Sequence, residues 1–223
     1  MTMHLRRDEF LTFLKELWRG KSIARIMLNL MLARHVSLEG RVFDLGCGRS
    51  PSYWRFIRRD SALQVISVDL NPAAHPTVVA SLERPLPFAD AQADMVLLLN
   101  VLEHIYAHRQ LLLEIRRLLK AGGRLYLWVP FLTAIHGDPF DYFRYTASSL
   151  ANLLEESGFV SIQVLPVGGL FMATGNLLDP LWRWRLLRLM AGGLVLGIET
   201  LLPAAYQRQA DARWPVGYLV VAA

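Results

Sequence analysis

The chain has 223 residues, of which 53% are hydrophobic and 19% charged, with a formal net charge of +5. That length bounds it at one domain with an elaboration and lets it bury a sizeable core. The lone cysteine, Cys47, excludes an internal disulfide framework and fits a reducing compartment. The basic balance, carried mostly by arginine, suits nucleic acid, an anionic membrane surface or an anionic substrate without choosing among them.

In chain order, Met1 to Glu9 is charged and amphipathic rather than a cleavable secretory leader. Over 8–36, Phe10, Leu11, Phe13, Leu14, Leu17 and Trp18, then Ile23, Ile26, Met27, Leu30 and Met31, recur at helical spacing, so one or two amphipathic helices are expected, parted at Gly20. A strand over 41–45 runs into Asp44-Leu45-Gly46-Cys47-Gly48, and a helix is expected over 51–59. A second strand, 64–69, ends on Asp69. Asn71-Pro72 opens a turn before a short strand at 77–80, and Pro85-Leu86-Pro87 marks a loop. The unbroken apolar run from Asp94 to Leu99 predicts a strand buried on both faces. A helix over 107–120, stopped by Gly122-Gly123, leads to a fifth strand at 124–129. Thr146 caps a helix running to Gly158. Strands are expected at 160–165 and 216–221.

Alternating strands and helices predict an α/β fold with a doubly wound, mostly parallel sheet and right-handed crossovers. In such a sheet a ligand sits beyond the carboxyl ends of the central strands. The two glycines of the first turn let a ligand approach the backbone. An acid ending the next strand, about 20 residues on, suits the two hydroxyls of a ribose.

These motifs resemble the class I S-adenosylmethionine-dependent methyltransferases of the small bacterial methyltransferase-domain type, over roughly residues 40–165. VFDLGCG is similar to the family's first motif and VISVDLNP to its second; PLPFADAQADMVLLLNVLEHI and LLEIRRLLKAGGRLYLWVP follow in order at the family's spacing. The resemblance implies a Rossmann-like fold of seven strands, the last antiparallel between the fifth and sixth. It implies S-adenosyl-L-methionine as cofactor, met by Asp44, Gly46, Cys47, Gly48, Asp69, Leu70, Ser81, Leu82, Asn100 and Val101. Two positions depart from the family pattern: Ser50 where a third glycine often stands, and Ser81 where an acid often follows the third strand.

The loop after the fifth strand, His136-Gly137-Asp138-Pro139-Phe140-Asp141-Tyr142-Phe143-Arg144-Tyr145, is the densest polar and aromatic cluster. His136, Asp141 and His104 are the candidate bases for a hydroxyl acceptor. Tyr142, Arg144 and Tyr145 are the candidate acceptor contacts, Arg144 for a phosphate or carboxylate; the alternative is a packed lid with Asp141 and Arg144 paired and the tyrosines covering the core. His136, Asp138 and Asp141 offer too few oxygen ligands for a hard-metal centre, and no metal is expected. Glu103 belongs with Asn100, Val101 and His104 to the segment that the resemblance places near the sulfonium and adenine, and it is read as well as an acid that complements a helix start.

Four segments are expected in one domain: an N-terminal helical cap (1–37), a cofactor-binding core (38–165), an apolar helical insertion (166–215) and the last strand (216–223). Neither 157–178, broken by Pro166 and Gly168-Gly169, nor 189–198, about half a span long, is read as crossing a membrane. Within 177–206, Trp182 and Trp184 alternate with Arg183 and Arg185; the segment is read equally as a surface for a bilayer or lipid-linked substrate and as a buried cap or homodimer face. The resulting expectation is a cytoplasmic enzyme, peripheral to the inner face of the membrane. The segment HGDPFDYFRYT, at 136–146, also resembles that of small bacterial methyltransferases associated with surface polysaccharide or glycolipid pathways, which implies O-methylation of a sugar hydroxyl on a polysaccharide or lipid-linked glycan precursor. The alternatives are a small lipophilic, quinone-like acceptor and a non-catalytic binding or assembly protein. No nucleic-acid partner is expected, because no Asn-Pro-Pro-Tyr-like motif or lysine-rich patch is present.

Overall fold

Seven strands form one sheet: β1 (Arg41–Leu45), β2 (Gln64–Asp69), β3 (Val78–Val79), β4 (Ala93–Leu99), β5 (Leu119–Pro130), β6 (Ile162–Gly168) and β7 (Pro215–Ala222). Their order is β3-β2-β1-β4-β5-β7-β6, parallel except for β7, which runs antiparallel to both neighbours. The computed structural model describes residues 6–137, 139–182 and 184–223. Met1 to Leu5, Asp138 and Arg183, all part of the readings above, lie outside the described residues.

Both faces of the sheet are covered, which is why β4 carries no polar alternation. On one face Val96 and Leu98 meet α3 (His108–Leu118) and α4 (Ala147–Glu156). On the other, Met95, Leu97 and Leu99 meet α2 (Ile23–His35), with α1 (Arg7–Trp18), α5 (Leu170–Leu178) and α6 (Arg185–Leu201) in the same apolar cluster. The N-terminal helices are thus a layer of the core. Ser22 caps α2 by accepting from the Arg25 N–H, and α2 buries residues all round. Glycines let the insertion close onto this layer: a Cβ on Gly192 would lie 2.5 Å from Leu17, and one on Gly175 2.8 Å from Ile23.

Two expected elements differ. The helix over 51–59 is a single 3-10 turn, Ser52–Arg55, followed by Arg58–Arg59 paired parallel with Ser37–Leu38. Tyr53 and Ile57 pack into the cluster already filled by α2, and the Tyr53 and Trp54 side chains are tied to Asp44, so the chain cannot wind on. Gly122-Gly123 does not stop a helix. Helix α3 ends at Leu118, Leu119 already pairs with Ala93, and the glycines sit where the β4–β5 register shifts. Thr146 does cap α4, accepting from the Ser149 N–H.

The insertion is helical: α5, one turn at Asp179–Leu181, α6 and α7 (Ala204–Arg213). Trp182 is buried, whereas Trp184 is 78% exposed. Leu186, Met190 and Leu194, spaced at one helical turn, are all exposed on α6. No helix among the described residues is long and apolar enough to cross a membrane.

Candidate active site

The turn leaving β1 is built by two glycines in the left-handed region, Gly46 at φ +71° and Gly48 at φ +63°. A Cβ on Gly46 would overlap the Val101 side chain. A Cβ on Gly48 would enter open space, with no atom within 4 Å. Beside the turn is a cavity of about 320 Å³ lined by Asp44, Cys47, Gly48, Trp54 and Ser67. The cradle is therefore free where a ligand would need it free.

Asp44 is buried at 1% exposure and accepts from the Tyr53 hydroxyl and from Trp54 Nε1 at 3.2 Å. Burial pushes its carboxyl up to about 6, against the pull of those two donors. The same burial, with Asp44 and Asp69 adding, drives the Cys47 thiol up to about 11, so Cys47 is a thiol and not a nucleophile. Its backbone N–H donates to the Val68 carbonyl at 3.3 Å.

Asp69 stands at the end of β2, as its spacing predicted. Its Oδ2 accepts from the Gly48 N–H at 2.8 Å and its Oδ1 from the Asn71 N–H at 2.8 Å. Each oxygen keeps a lone pair for a donor such as a ribose hydroxyl. Leu70 beside it is 63% exposed. Ser81 turns its hydroxyl onto the Glu83 N–H at 3.2 Å, and Leu82 is buried.

Asn100, just after β4, adopts φ +56°, and its N–H donates to the Trp128 carbonyl at 3.0 Å. A non-glycine residue in that region is strained, and such strain gathers at functional sites. It turns the chain into Leu102–His104, against which the loop after β5 is sewn. The N–H groups of Tyr142 and Phe143 donate to the Glu103 carbonyl at 2.9 and 3.3 Å, and the Tyr145 hydroxyl to the Leu102 carbonyl at 3.2 Å.

Three predicted residues take other roles. Asp141 is held by the Arg144 guanidinium, with its side chain 2% exposed, and its carboxyl is lowered to about 2; such an acid is a poor base at neutral pH. Arg144 spends its donors on Asp141 and on the Phe143 and Ala134 carbonyls, so it is not a free anion site. Tyr145 is buried against the core, whereas Tyr142 is 42% exposed. Together the pair Asp141–Arg144 sets the loop, because Asp141 Oδ2 also accepts from the His136 N–H at 2.9 Å.

His104 and His136 do come together, their rings 5.1 Å apart edge to face. Behind them is Glu103, fully buried, and among the described residues neither of its carboxylate oxygens has a hydrogen-bond partner. Burial pushes its carboxyl up to about 8, with Asp141 adding and its own backbone N–H, Arg144 and Arg25 pulling the other way. Its position after a sheet strand at the ligand edge marks Glu103 in the sequence, but its full burial behind the two histidines is not visible there. Both histidines line a second cavity of about 390 Å³, shared with Asn100, Thr133, Arg25 and Asn176. Asn176, also unforeseen, joins three segments: it accepts from the Ala24 N–H at 3.0 Å and donates to the Leu132 carbonyl at 3.1 Å and Thr133 Oγ1 at 3.3 Å.

Residues 43–127 match the family model described as a methyltransferase domain. A probable S-adenosylmethionine-dependent methyltransferase of Mycolicibacterium smegmatis is 31% identical over 133 residues, 53% of this chain and 51% of that protein. The chain thus spans about half the length of the curated relatives it matches. Among solved structures, a methyltransferase of Haloferax volcanii in complex with the Trm112 activator superposes with a TM-score of 0.57 at 17% identity, covering 98% of each chain. A SAM-dependent methyltransferase from Archaeoglobus fulgidus gives 0.54 at 18% identity, over 93% of this chain and 96% of that one. At those identities the likeness is one of fold.

Proposed function

We infer that the chain is a class I S-adenosylmethionine-dependent methyltransferase that moves a methyl group from S-adenosylmethionine to a hydroxyl on a lipid-linked glycan precursor; the methyltransferase-domain match over residues 43–127 supports the first part of that reading. The bound cofactor supplies an electrophilic methyl on a sulfonium. The chain's task is to align that methyl with an acceptor and to exclude water.

Asp69, Gly46 and Gly48 fit the donor: a carboxylate with free lone pairs and a turn with no side chains in the way. The observation that carries the acceptor is the second cavity. Its wall sets polar groups, Asn100, Thr133, Asn176 and the two histidines, among apolar ones such as Pro130 and Ile135, and those polar groups suit a sugar. Arg25 adds a positive charge there and forms no ion pair among the described residues, which suits a phosphate linkage. Asp179 and Pro180 extend the wall into the insertion, and their neighbours Leu177, Leu178, Leu181 and Trp184 are exposed. A pocket that carries several hydrogen-bonding side chains and has an apolar, tryptophan-bearing rim suits a substrate whose head is a sugar and whose tail lies in lipid. On this reading the protein rests on the inner membrane face through the exposed side of 177–206. The hydroxyl must lose its proton as the new bond forms, and His104, His136 and Glu103 are the groups the chain places there.

The test is transfer of labelled methyl from S-adenosylmethionine into a lysate of the source organism. Label in the organic phase, released to water by mild acid, is expected. Acid-resistant organic label would favour a lipophilic, quinone-like acceptor, and label only in the aqueous phase would refute a lipid-linked one. Asp69→Ala should abolish transfer and weaken cofactor binding; unchanged binding would contradict the donor site.

A further inference from the structure

Glu103, His104 and His136 are placed more like ligands than like a proton relay. Glu103 Oε1 lies 3.7 Å from His104 Nε2 and 3.8 Å from His136 Nε2, too far for hydrogen bonds. One donor atom from each of the three residues falls within 4.8 Å of the others. Each imidazole is pinned through its other nitrogen to a backbone carbonyl: His104 Nδ1 to Phe140 at 2.5 Å and His136 Nδ1 to Ala134 at 3.1 Å. A carbonyl only accepts, so both Nδ1 atoms carry the proton and both Nε2 lone pairs point away from those bonds. That is how metal-bound histidines are usually oriented and made more basic.

We propose that Glu103, His104 and His136 bind a divalent transition-metal ion, facing the acceptor cavity with at least one coordination position open. Two imidazoles and one carboxylate suit zinc, cobalt or ferrous iron and disfavour magnesium and calcium, which prefer all-oxygen sites. Donors bound at about 2.0–2.1 Å around a tetrahedral ion are roughly 3.3 Å apart, so each Glu103–imidazole gap needs to close by about 0.5 Å and the imidazole–imidazole gap by at most about 1.5 Å. An ion there would give both unpartnered Glu103 oxygens a reason to be buried. Leaving them unpaired would otherwise be costly. The open position would take water or the acceptor hydroxyl and lower its pKa. That role rests on the methyl-transfer reading; the metal site itself does not.

The test begins with full-length protein stripped by chelator and titrated with cobalt(II) and zinc, following cobalt d–d absorption and binding heat. One ion per chain is expected, with bands of a four- or five-coordinate centre that zinc displaces. His136→Asn, on an exposed loop, should weaken binding by about 100-fold and remove the cobalt bands. Glu103→Gln should do the same with its far-UV spectrum unchanged, and His136→Asn covers the case in which it fails to fold. No binding by the wild type, or binding that both variants retain, would overturn the proposal. Binding of S-adenosylhomocysteine, measured in parallel, reads the donor site by itself, so failure of the metal site and failure of the methyltransferase reading give different results.

Discussion

The hydroxyl of Tyr53 lies 2.8 Å from both oxygens of Asp44, nine residues earlier and at the floor of the glycine turn. One donor thus serves a whole carboxylate, and Trp54 Nε1 adds a second. These contacts fix the turn yet leave Asp44 titrating near neutrality because burial outweighs them.

Cofactor affinity should therefore depend on pH through Asp44. The methionine part of the ligand is cationic at its amino group and favours the ionised carboxylate, which in the free protein forms as pH rises through about 6. Affinity for S-adenosylhomocysteine should tighten by up to about tenfold per pH unit below 6 and level off above 7. Asp44→Asn should bind more weakly with a flat profile. Calorimetry between pH 5 and 8 checks this, and a wild-type affinity independent of pH would contradict it.

The two glycines of the turn should respond differently to alanine. Gly46→Ala combines the left-handed backbone with an overlap on Val101, and should destabilise the fold by about 2–4 kcal/mol. Gly48→Ala meets no atom and should cost only the backbone strain, about 1–2 kcal/mol. Its methyl would instead occupy the ligand's space. Urea unfolding and cofactor titration on both variants separate the effects: stability falls most in the first, while the second loses binding out of proportion to its stability.

On the acid side, Asp141 makes stability pH-dependent. Paired with Arg144, its folded-state carboxyl is at about 2 against 3.8 when unfolded. Its contribution is complete above 3.8 and is lost as pH falls toward 2, about 2 kcal/mol in all. Glu9, accepting from Arg34 and from the Arg6 N–H, titrates in the same window. The informative quantity is thus the difference between wild type and Asp141→Asn, which should be largest at pH 6 and shrink toward pH 2. A difference independent of pH would refute the pairing.

Asn176→Ala should strip three hydrogen bonds from the junction of α2, α5 and the loop after β5. A loss of about 1–3 kcal/mol is expected, with faster hydrogen exchange at the Ala24 amide. Since Asn176 lines the cavity proposed for the acceptor and not the one beside the glycine turn, acceptor KM should rise while binding of S-adenosylhomocysteine holds. Equal losses at both sites would argue against two separate pockets.

Much of the donor half was legible because its chemistry is local. Asp44, Gly46 and Gly48 make one turn, and Asp69 reaches it from the next strand at the predicted spacing. The run over 94–99 announced burial on both faces, and β4 is sandwiched accordingly. The acceptor half was less legible because long-range pairing decides it. The sequence left Asp141 and Arg144 open between a base with an anion hook and a mutual ion pair, and the structure pairs them. Glu103 looked like a helix-start acid because its burial depends on a loop more than 30 residues later, stitched to its carbonyl through Tyr142. Trp182 and Trp184, two residues apart, part company because only Trp182 falls into the cluster of α2 and α6.

The strand order also constrains how the molecule assembles. β6 has a single neighbour, β7, and β7 follows it only after α5, α6 and α7. Until β7 arrives, β6 and the α4 helix packed on it have no place in the sheet, and the Leu125–Pro130 edge of β5 is unpaired. The nascent chain therefore carries an open, apolar sheet edge from the completion of β5 until residues 215–222 are made, and closure is a late, non-local event of the kind that slows folding. The insertion is thus a timer as well as a wall of the pocket: its length sets how long that edge remains exposed to chaperones or to another chain.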